Sequence, residues 1–284
     1  MSEVVLCEHA GFCFGANRGV DEIEKSLSES DKPIYTYGPI LNNATLVENY
    51  EKRGVKVISD VSDLKDCAPG KIIIRCHGVP RATYEALLAT GFEVYDATCP
   101  FVKRIHRIVE KQSGLGDKIV VVGNPKHPEV IGIVGWSSSG ATVIETKDDI
   151  SKISKNSNAN ICVVAQTTFN RIKFEELVEI IKKNSYNVNV MNTICDATSV
   201  RQSEAFDLSK KAEVMIVIGD KQSSNSRKLF EICEANCKNT YFIQSLSDIK
   251  GKLPKVSGLV GITAGASTPK YIIEEVQSYV RNDF

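Results

Sequence analysis

The chain has 284 residues, of which 42% are hydrophobic and 25% are charged, as is usual for a globular protein. Its 35 basic and 35 acidic side chains cancel, which argues against nucleic acid or an anionic membrane as a partner. Apolar runs such as KIVVVG are too short to cross a bilayer, and the opening MSEVVLCEHAGFC lacks the features of a secretory signal. Nine cysteines, an odd number, fit thiols in a reducing cytoplasm better than a set of disulfides.

Short apolar runs recur along the chain, and each leads into a polar loop and then a helical pattern such as FEELVEIIKKN or PKYIIEEVQSYV. Buried parallel strands read as nearly continuous Val and Ile runs, and strands that alternate with helices indicate βαβ units. The sequence therefore predicts an α/β fold. The runs with their loops, in chain order, are PIYTYGPILNN, KIIIRCHGVP, KIVVVGNPKHPEV, ANICVVAQTTFN, EVMIVIGDKQSSNS and GLVGITAGASTPK.

Three cysteines carry a second, longer pattern. Cys13, Cys99 and Cys195 stand 86 and 96 positions apart, and each follows a short extended stretch (EVVLC, FEVYDATC, VNVMNTIC) and precedes a helical one. This internal repetition predicts three similar α/β repeats of roughly 90 residues in a pseudo-threefold arrangement. The predicted limits are 14–98 for the first repeat, 99–194 for the second, and 195–284 together with 1–13 for the third.

The polar loops after the strands are the candidate site, because ligands of open α/β sheets bind beyond the carboxyl ends of the strands. If the three repeats direct those ends inward, the loops and the three cysteines share one cavity. Three thiolates could then hold three corners of a cubane iron–sulfur cluster and leave the fourth iron open. Spacing alone leaves two alternatives, a zinc site and inert cysteines, and the other cysteines mostly lie in apolar patterns typical of small buried residues. The polar loop residues are His77, His127, Glu129, Thr167, Thr168, Ser223, Ser224, Asn225 and Ser267.

A set of short motifs, none specific by itself, occurs in one order along the whole chain. They are AGFCFG, HGVP, DATCPFVKRIH, HPEV, QTTFN, ICDAT, RQ, SSNS and TAGAS. In this order they resemble the 4-hydroxy-3-methylbut-2-enyl diphosphate reductase family of the non-mevalonate route to isoprenoid precursors. The resemblance implies a three-lobed α/β fold around a central 4Fe–4S cluster, in agreement with the repeat pattern.

The resemblance also implies a cofactor and a reaction. Cys13, Cys99 and Cys195 would hold one 4Fe–4S cluster whose fourth iron is open to substrate. The enzyme would remove the allylic hydroxyl of the hydroxylated diphosphate with two electrons and two protons, which gives isopentenyl and dimethylallyl diphosphate. An electron donor of the ferredoxin or flavodoxin type and a cytoplasmic location would go with this activity, and no membrane or nucleic-acid partner is expected.

The remaining site residues follow from the same motifs. Glu129 matches the proton-delivering acid of the family, Thr167 matches a residue at the reacting end of the substrate, and His127 would serve both catalysis and substrate binding. The other expected ligands of the substrate are His77, Ser223, Ser224, Asn225, Ser267 and Asn42.

One departure from the family pattern leaves the substrate open. The family has a histidine before the asparagine of its IHN motif, and in this chain ILNN places Leu41 before Asn42. Leucine can neither donate a hydrogen bond nor carry a charge to a phosphate. The alternatives are therefore an iron–sulfur reductase, dehydratase or hydratase of the same fold with another substrate, and a cluster-based redox sensor without catalysis. A sensor would not need Glu129 and a pocket rich in hydroxyls.

Overall fold

A computed structural model of the chain describes residues 3–153, 160–184, 187–254 and 257–283. These residues divide into two compact units. Compact unit one comprises Met1–Asn17, Leu41–Asn49 and Asp196–Phe284, and compact unit two comprises Arg18–Ile40 and Tyr50–Cys195. Among the described residues, no helix combines the length and the apolar character that crossing a membrane would require.

The first strand of the chain, β1, and the elements of the first repeat are short and regular. They are β1 (Val4–Leu6), α1 (Phe14–Glu29), β2 (Ile34–Tyr37), α2 (Ala44–Lys52), β3 (Lys56–Ile58), a 3-10 helix (Val61–Asp66), β4 (Lys71–Ile74), α3 (Arg81–Leu88) and β5 (Glu93–Asp96). β2 to β5 form a parallel sheet with the order β3-β2-β4-β5. The three isoleucines of β4 are fully buried, as expected for an inner strand covered on both faces.

The second repeat has the same sequence of elements. They are α4 (Pro100–Gly114), β6 (Lys118–Val122), α5 (Pro128–Val134), β7 (Ala141–Ile144), a 3-10 helix (Asp148–Lys152), β8 (Ile161–Ala165), α6 (Arg171–Lys183) and β9 (Val188–Val190). The strands are parallel in the order β7-β6-β8-β9. Helix α4 packs a row of apolar side chains, among them Ile105 and Val109, against the buried faces of β6 and β8.

The third repeat has the same order of elements, and its sheet includes the N-terminal strand β1. Its elements are α7 (Asp196–Ser209), β10 (Val214–Ile218), α8 (Ser224–Asn236), β11 (Thr240–Ile243), a 3-10 helix (Leu246–Asp248), β12 (Val260–Ala264) and α9 (Lys270–Asp283). The parallel order is β1-β12-β10-β11, so β1 occupies the edge that β5 and β9 occupy in the other two sheets. Three similar four-stranded parallel sheets confirm the predicted α/β fold, whereas the predicted limits of the repeats stay a prediction.

The segment Leu41–Asn49 leaves the first repeat and groups with the third repeat in compact unit one. Its hydrogen bonds explain this grouping. The side-chain amide of Asn43 donates to the backbone oxygen of Ser267 (2.9 Å), and the backbone N–H of Ala44 donates to the carboxylate of Asp220 (3.0 Å). The segment therefore adds its polar residues to the loops that follow β10 and β12.

Two glycines allow a close approach at the carboxyl ends of β10 and β12. Gly219 and Gly265 follow these strands, and a Cβ atom at either position would overlap the hydroxyl of Ser226 in the first turn of α8. Ser226 is fully buried. The first turn of α8 can lie against both strand ends only because these two side chains are absent.

This packing predicts that Gly265→Ala is destabilising. Overpacking of this kind costs roughly 1–3 kcal/mol, and the midpoint of thermal unfolding should fall accordingly. Gly114→Ala is the matched control, because a Cβ atom at that helical position meets nothing within 4 Å and should be neutral or stabilising. Equal melting midpoints for the two variants would contradict the close packing.

Candidate active site

Each of the three predicted cluster ligands is tied through its backbone to a loop of its own sheet. The loop is in every case the one that follows the third strand of the repeat, which carries a predicted substrate ligand. The bonds run from Cys13 N to Ala266 O (3.3 Å), from Cys99 N to Cys76 O (2.9 Å) and from Cys195 N to Thr167 O (3.0 Å). The distance between each cysteine and its neighbouring polar loop is therefore fixed by main-chain geometry.

The same three cysteines lie at helix N-termini. Cys13 precedes α1 and its sulfur accepts the backbone N–H of Ala16 at 3.4 Å. Cys99 is the N-cap residue of α4, and Cys195 directly precedes α7. The partial positive charge of a helix N-terminus favours a thiolate, which is the form of cysteine that binds metal. All three are half-buried, so each thiol is placed where it could bind a metal.

Four other cysteines have the opposite environment. Cys7, Cys162 and Cys233 are buried, and burial raises the pKa of each thiol, to about 11, 11 and 12. Cys237 is also buried, and its sulfur lies 3.4 Å from the backbone oxygen of Ala212. The thiols of Cys7, Cys162 and Cys233 stay protonated near neutral pH. All four buried side chains are suited to packing rather than to metal binding. The sequence prediction of their role agrees with their burial.

Glu129 is a deeply buried acid of compact unit two. It lies in the first turn of α5 and is only 2% exposed. Its Oε1 accepts the backbone N–H of Thr167 (2.6 Å), and its Oε2 lies 2.8 Å from the Thr167 hydroxyl. Burial raises the pKa of Glu129 to about 7, although the two contacts with Thr167 lower it. The group can therefore hold a proton near neutral pH and release it there.

His77 and His127 lie together in the same compact unit, with ring centroids 5.3 Å apart in an edge-to-face arrangement. Burial lowers the pKa of His127 to about 4 and the pKa of His77 well below its usual value. Both rings are therefore neutral at pH 7. Nδ1 of His127 accepts the backbone N–H of Glu129 (3.1 Å), which leaves the proton of the neutral ring on Nε2. His127 can donate that N–H to an anionic ligand.

The loop that carries His77 is held against α5. The indole N–H of Trp136 donates to the backbone oxygen of Val79 (2.9 Å), and the Trp136 ring stacks on His106 with centroids 5.1 Å apart. A Cβ atom at Gly78 would come within 2.7 Å of the His106 ring, and Gly78 has a positive φ of 74°. Only glycine fits this turn, which fixes where the backbone presents His77.

A second group of predicted ligands lies together in compact unit one. Ser223 caps α8 and its hydroxyl lies 3.4 Å from the hydroxyl of Ser267, which donates to the backbone oxygen of Asn42 (3.1 Å). Both polar atoms of the Asn225 side chain are buried without a hydrogen-bond partner among the described residues. Ser224 is the first residue of α8. Hydroxyls, an unsatisfied amide and the N–H groups of a first helical turn suit an anion.

Aligning the three repeats by their first strands shows which positions in the following loop correspond to one another, and this alignment places the unusual residue Leu41. A glycine directly follows the first strand of every repeat, and the fourth residue after it is Asn42 in the first repeat, His127 in the second and Ser223 in the third. Leu41 is buried at 3% exposure, whereas Asn42 is half-buried. By this register Asn42 holds the place of a polar ligand and Leu41 a packing position. The substitution of histidine by leucine at position 41 stays a prediction.

Sequence reasoning gave no role to several polar residues of these loops. Asn43 was overlooked, although it caps α2 by accepting the N–H of Leu46 and also bonds to Ser267. Gln166 accepts the N–H of Asn124 (3.1 Å) and thereby joins the Thr167 loop to the His127 loop. Their signal was weak because an amide beside a glycine or threonine is common in any turn.

Comparisons with known proteins agree with these features. The family model described as LytB protein matches residues 4–281. Proteins named 4-hydroxy-3-methylbut-2-enyl diphosphate reductase from Alkaliphilus oremlandii and Caldanaerobacter subterraneus are 43% and 42% identical, over 99% of this chain and 99% and 97% of their own lengths.

Solved structures give the same result. The structure of (E)-4-hydroxy-3-methyl-but-2-enyl diphosphate reductase, the terminal enzyme of the non-mevalonate pathway, is 39% identical, with a TM-score of 0.71 over 99% of this chain and 100% of that one. The reductase from Plasmodium falciparum is 26% identical, with a TM-score of 0.89 over 99% of this chain and 87% of that one. With a family match over nearly its whole length and relatives above 40% identity, the chain belongs to the LytB family.

Proposed function

We propose that this protein removes the hydroxyl group of 4-hydroxy-3-methylbut-2-enyl diphosphate reductively and forms isopentenyl and dimethylallyl diphosphate. The observation that carries the proposal is the buried pair of Glu129 and Thr167, because it keeps a carboxyl group with a pKa of about 7 next to a cysteine-bearing loop. Hydroxide is a poor leaving group, and a proton from such an acid lets it leave as water. The names of the full-length relatives support the same reaction.

The ligands of the cofactor in this proposal are Cys13, Cys99 and Cys195, with one 4Fe–4S cluster. Their helix N-termini and their partial exposure support a thiolate donor set, and three cysteines leave one iron without a protein ligand. When bound, such a cluster supplies electrons and a Lewis-acidic iron for the hydroxyl oxygen. The electrons come from a donor of the ferredoxin or flavodoxin type in the cytoplasm, where thiols stay reduced.

The contacts of Glu129 indicate which oxygen holds its proton. Oε1 faces the backbone N–H of Thr167, a donor, so the acidic proton belongs on Oε2. Oε2 lies 2.8 Å from Oγ1 of Thr167 and can donate to it. The Thr167 hydroxyl then has its own proton available for the leaving oxygen of the substrate. Two protons and two electrons balance the reaction. One proton joins the departing hydroxyl to form water, and the other is added to a carbon of the allylic group.

The diphosphate end of the substrate is assigned to neutral donors in this proposal. His77 and His127 contribute ring N–H groups, and the third repeat contributes the hydroxyls and amide at the start of α8 together with Ser267. Asn42 joins them through its neighbour Ser267. Several hydrogen bonds to charged phosphate oxygens, each worth about 1.5–3 kcal/mol, can hold a diphosphate without a lysine.

Glu129→Gln tests the reaction. The variant should keep its iron and bind substrate, whereas anaerobic turnover of the hydroxylated diphosphate with a strong reductant should fall about 100- to 10,000-fold, because the amide cannot supply a proton. In the wild type, turnover limited by this acid should fall as pH rises through about 7, since the protonated fraction falls there. The exposed Glu85→Gln is the control. Near-normal turnover of Glu129→Gln would remove Glu129 from the mechanism.

Serine substitutions test the cofactor. Changing Cys13, Cys99 or Cys195 singly to serine should strip most of the iron and sulfide from anaerobically purified protein, because the hydroxyl of serine is a poor ligand for iron in such clusters. Cys67→Ser should keep its iron, since that half-buried thiol lies beside the backbone oxygen of Asp63. Cys76→Ser should also keep it. Loss of iron in the Cys76 variant comparable to that in the Cys99 variant would reject the three-ligand assignment.

Paired substitutions test the register of the first repeat. Asn42→His should lower the KM for the hydroxylated diphosphate with little change in kcat, as expected for an added uniform contact. Leu41→His should instead lower stability, because an imidazole buried without a partner costs roughly 1–3 kcal/mol. The reverse result, a lower KM for Leu41→His alone, would make position 41 the ligand position. Wild-type protein that does not bind the diphosphate at all would favour a different substrate for this fold.

A further inference from the structure

One charged side chain beside the histidines has no counter-ion. Arg75 follows the last residue of β4 and precedes Cys76 and His77. It is partly buried, its Nε atom is shut off from solvent, and Nε makes no hydrogen bond to any described residue. No carboxylate of the described residues pairs with its guanidinium group.

The surroundings of Arg75 hold it in place without neutralising it. The guanidinium lies against Gly38, where a Cβ atom would come within 2.7 Å of Nη1, and Gly38 has a positive φ of 71°. Burial lowers the pKa of Arg75, and Cys76 and Tyr37 partly offset this effect. An arginine stays charged even so. A cation whose Nε–H is shut off from solvent without a hydrogen-bond partner is destabilising, and an anion bound at its outer N–H groups would offset this effect.

Arg75 also acts on the two histidines. Burial is the main cause of the lowered pKa of His77 and His127, and the positive charge of Arg75, two residues before His77, adds to it for both rings. The two rings are neutral at pH 7, and the ligands assigned in the third repeat are hydroxyls and an amide. Among the described groups assigned to the diphosphate, none carries a positive charge near neutral pH. A diphosphate carries at least two negative charges and would otherwise be bound by neutral donors alone.

We propose that Arg75 is the charged contact for the diphosphate of the substrate. The inference rests on the proposed function and adds to it a residue that determines preference for a highly charged substrate. The planar guanidinium, pressed against Gly38, offers its outer N–H groups to phosphate oxygens in a fixed orientation. His77 follows two positions along the same loop, and its assigned role is a second contact with the same diphosphate. In this proposal the arginine contributes the positive charge, and the neutral histidines contribute directional hydrogen bonds.

The test is a calorimetric titration, in which inorganic diphosphate is added to anaerobic holoprotein and the heat of binding gives the dissociation constant. Arg75→Gln should weaken binding roughly 10- to 150-fold, the equivalent of one charge-assisted contact, and Arg75→Lys should lose less because it keeps the charge. Arg104→Gln is the matched control, since it removes the same charge from an exposed position on α4 and should bind within about 2-fold of the wild type. Turnover should show a raised KM for Arg75→Gln with a nearly unchanged kcat.

Stability separates this role from a structural one. Removing a partly buried charge whose Nε–H has no hydrogen-bond partner among the described residues should leave the melting midpoint of the Arg75→Gln protein unchanged or raised in the absence of diphosphate. A lowered midpoint with unchanged diphosphate binding would overturn the proposal and make Arg75 a structural residue. If the wild type turns over substrate but Arg75→Gln binds diphosphate equally well, the Arg75 proposal fails and the function stands. Arg75-dependent binding without turnover would reject the function and keep the Arg75 site.

Discussion

The hydrogen bond from each cysteine backbone to the loop after the third strand is the constraint on which the site depends. It occurs in every repeat and joins Cys13, Cys99 and Cys195 to the carbonyls of Ala266, Cys76 and Thr167. Parallel neighbouring strands end at the same edge of a sheet, which brings the two loops within reach of each other. Because the bond is between main chains, it keeps its geometry whatever side chains the loops carry. The cysteine therefore occupies the same position in all three repeats, while the polar residue beside it differs from repeat to repeat.

Burial favours the neutral form of the ionisable groups at the site, whether they are acids or bases. The same desolvation that raises the pKa of Glu129 to about 7 lowers the pKa of His127 to about 4, so His127 is neutral at pH 7 and Glu129 is divided there between its neutral and its ionised form. A neutral carboxyl group is a proton donor, and a neutral imidazole with Nδ1 occupied is a hydrogen-bond donor through Nε2. Arg75 keeps its charge in these surroundings because its pKa starts far above neutrality. In the proposed site, neutral donors therefore act together with the charged guanidinium of Arg75.

The inner strands and the edge strand before each cysteine could be predicted from sequence, whereas the other edge strand of each sheet could not. All six predicted apolar runs contain strands, and the stretches before the three cysteines contain β1, β5 and β9. The second strand of each repeat was missed, because β3, β7 and β11 are three or four residues long and only partly buried. Family membership was predicted from motif order and is confirmed by the family match. The grouping of Leu41–Asn49 with the third repeat depends on bonds from Asn43 and Ala44 that no local pattern encodes.

One position in the first helical turn of each repeat carries an acid in the second repeat only. Six residues after the glycine that follows the first strand, the first turn of the helix holds Ala44 in the first repeat, Glu129 in the second and Asn225 in the third. Ala44 is exposed and contributes a backbone N–H, whereas Glu129 and Asn225 are both buried. A carboxyl group there can exchange a proton, whereas the amide of asparagine, on a side chain one methylene shorter, can only donate and accept hydrogen bonds. Under the proposed function, this one structural position provides proton transfer in the second repeat and anion binding in the third.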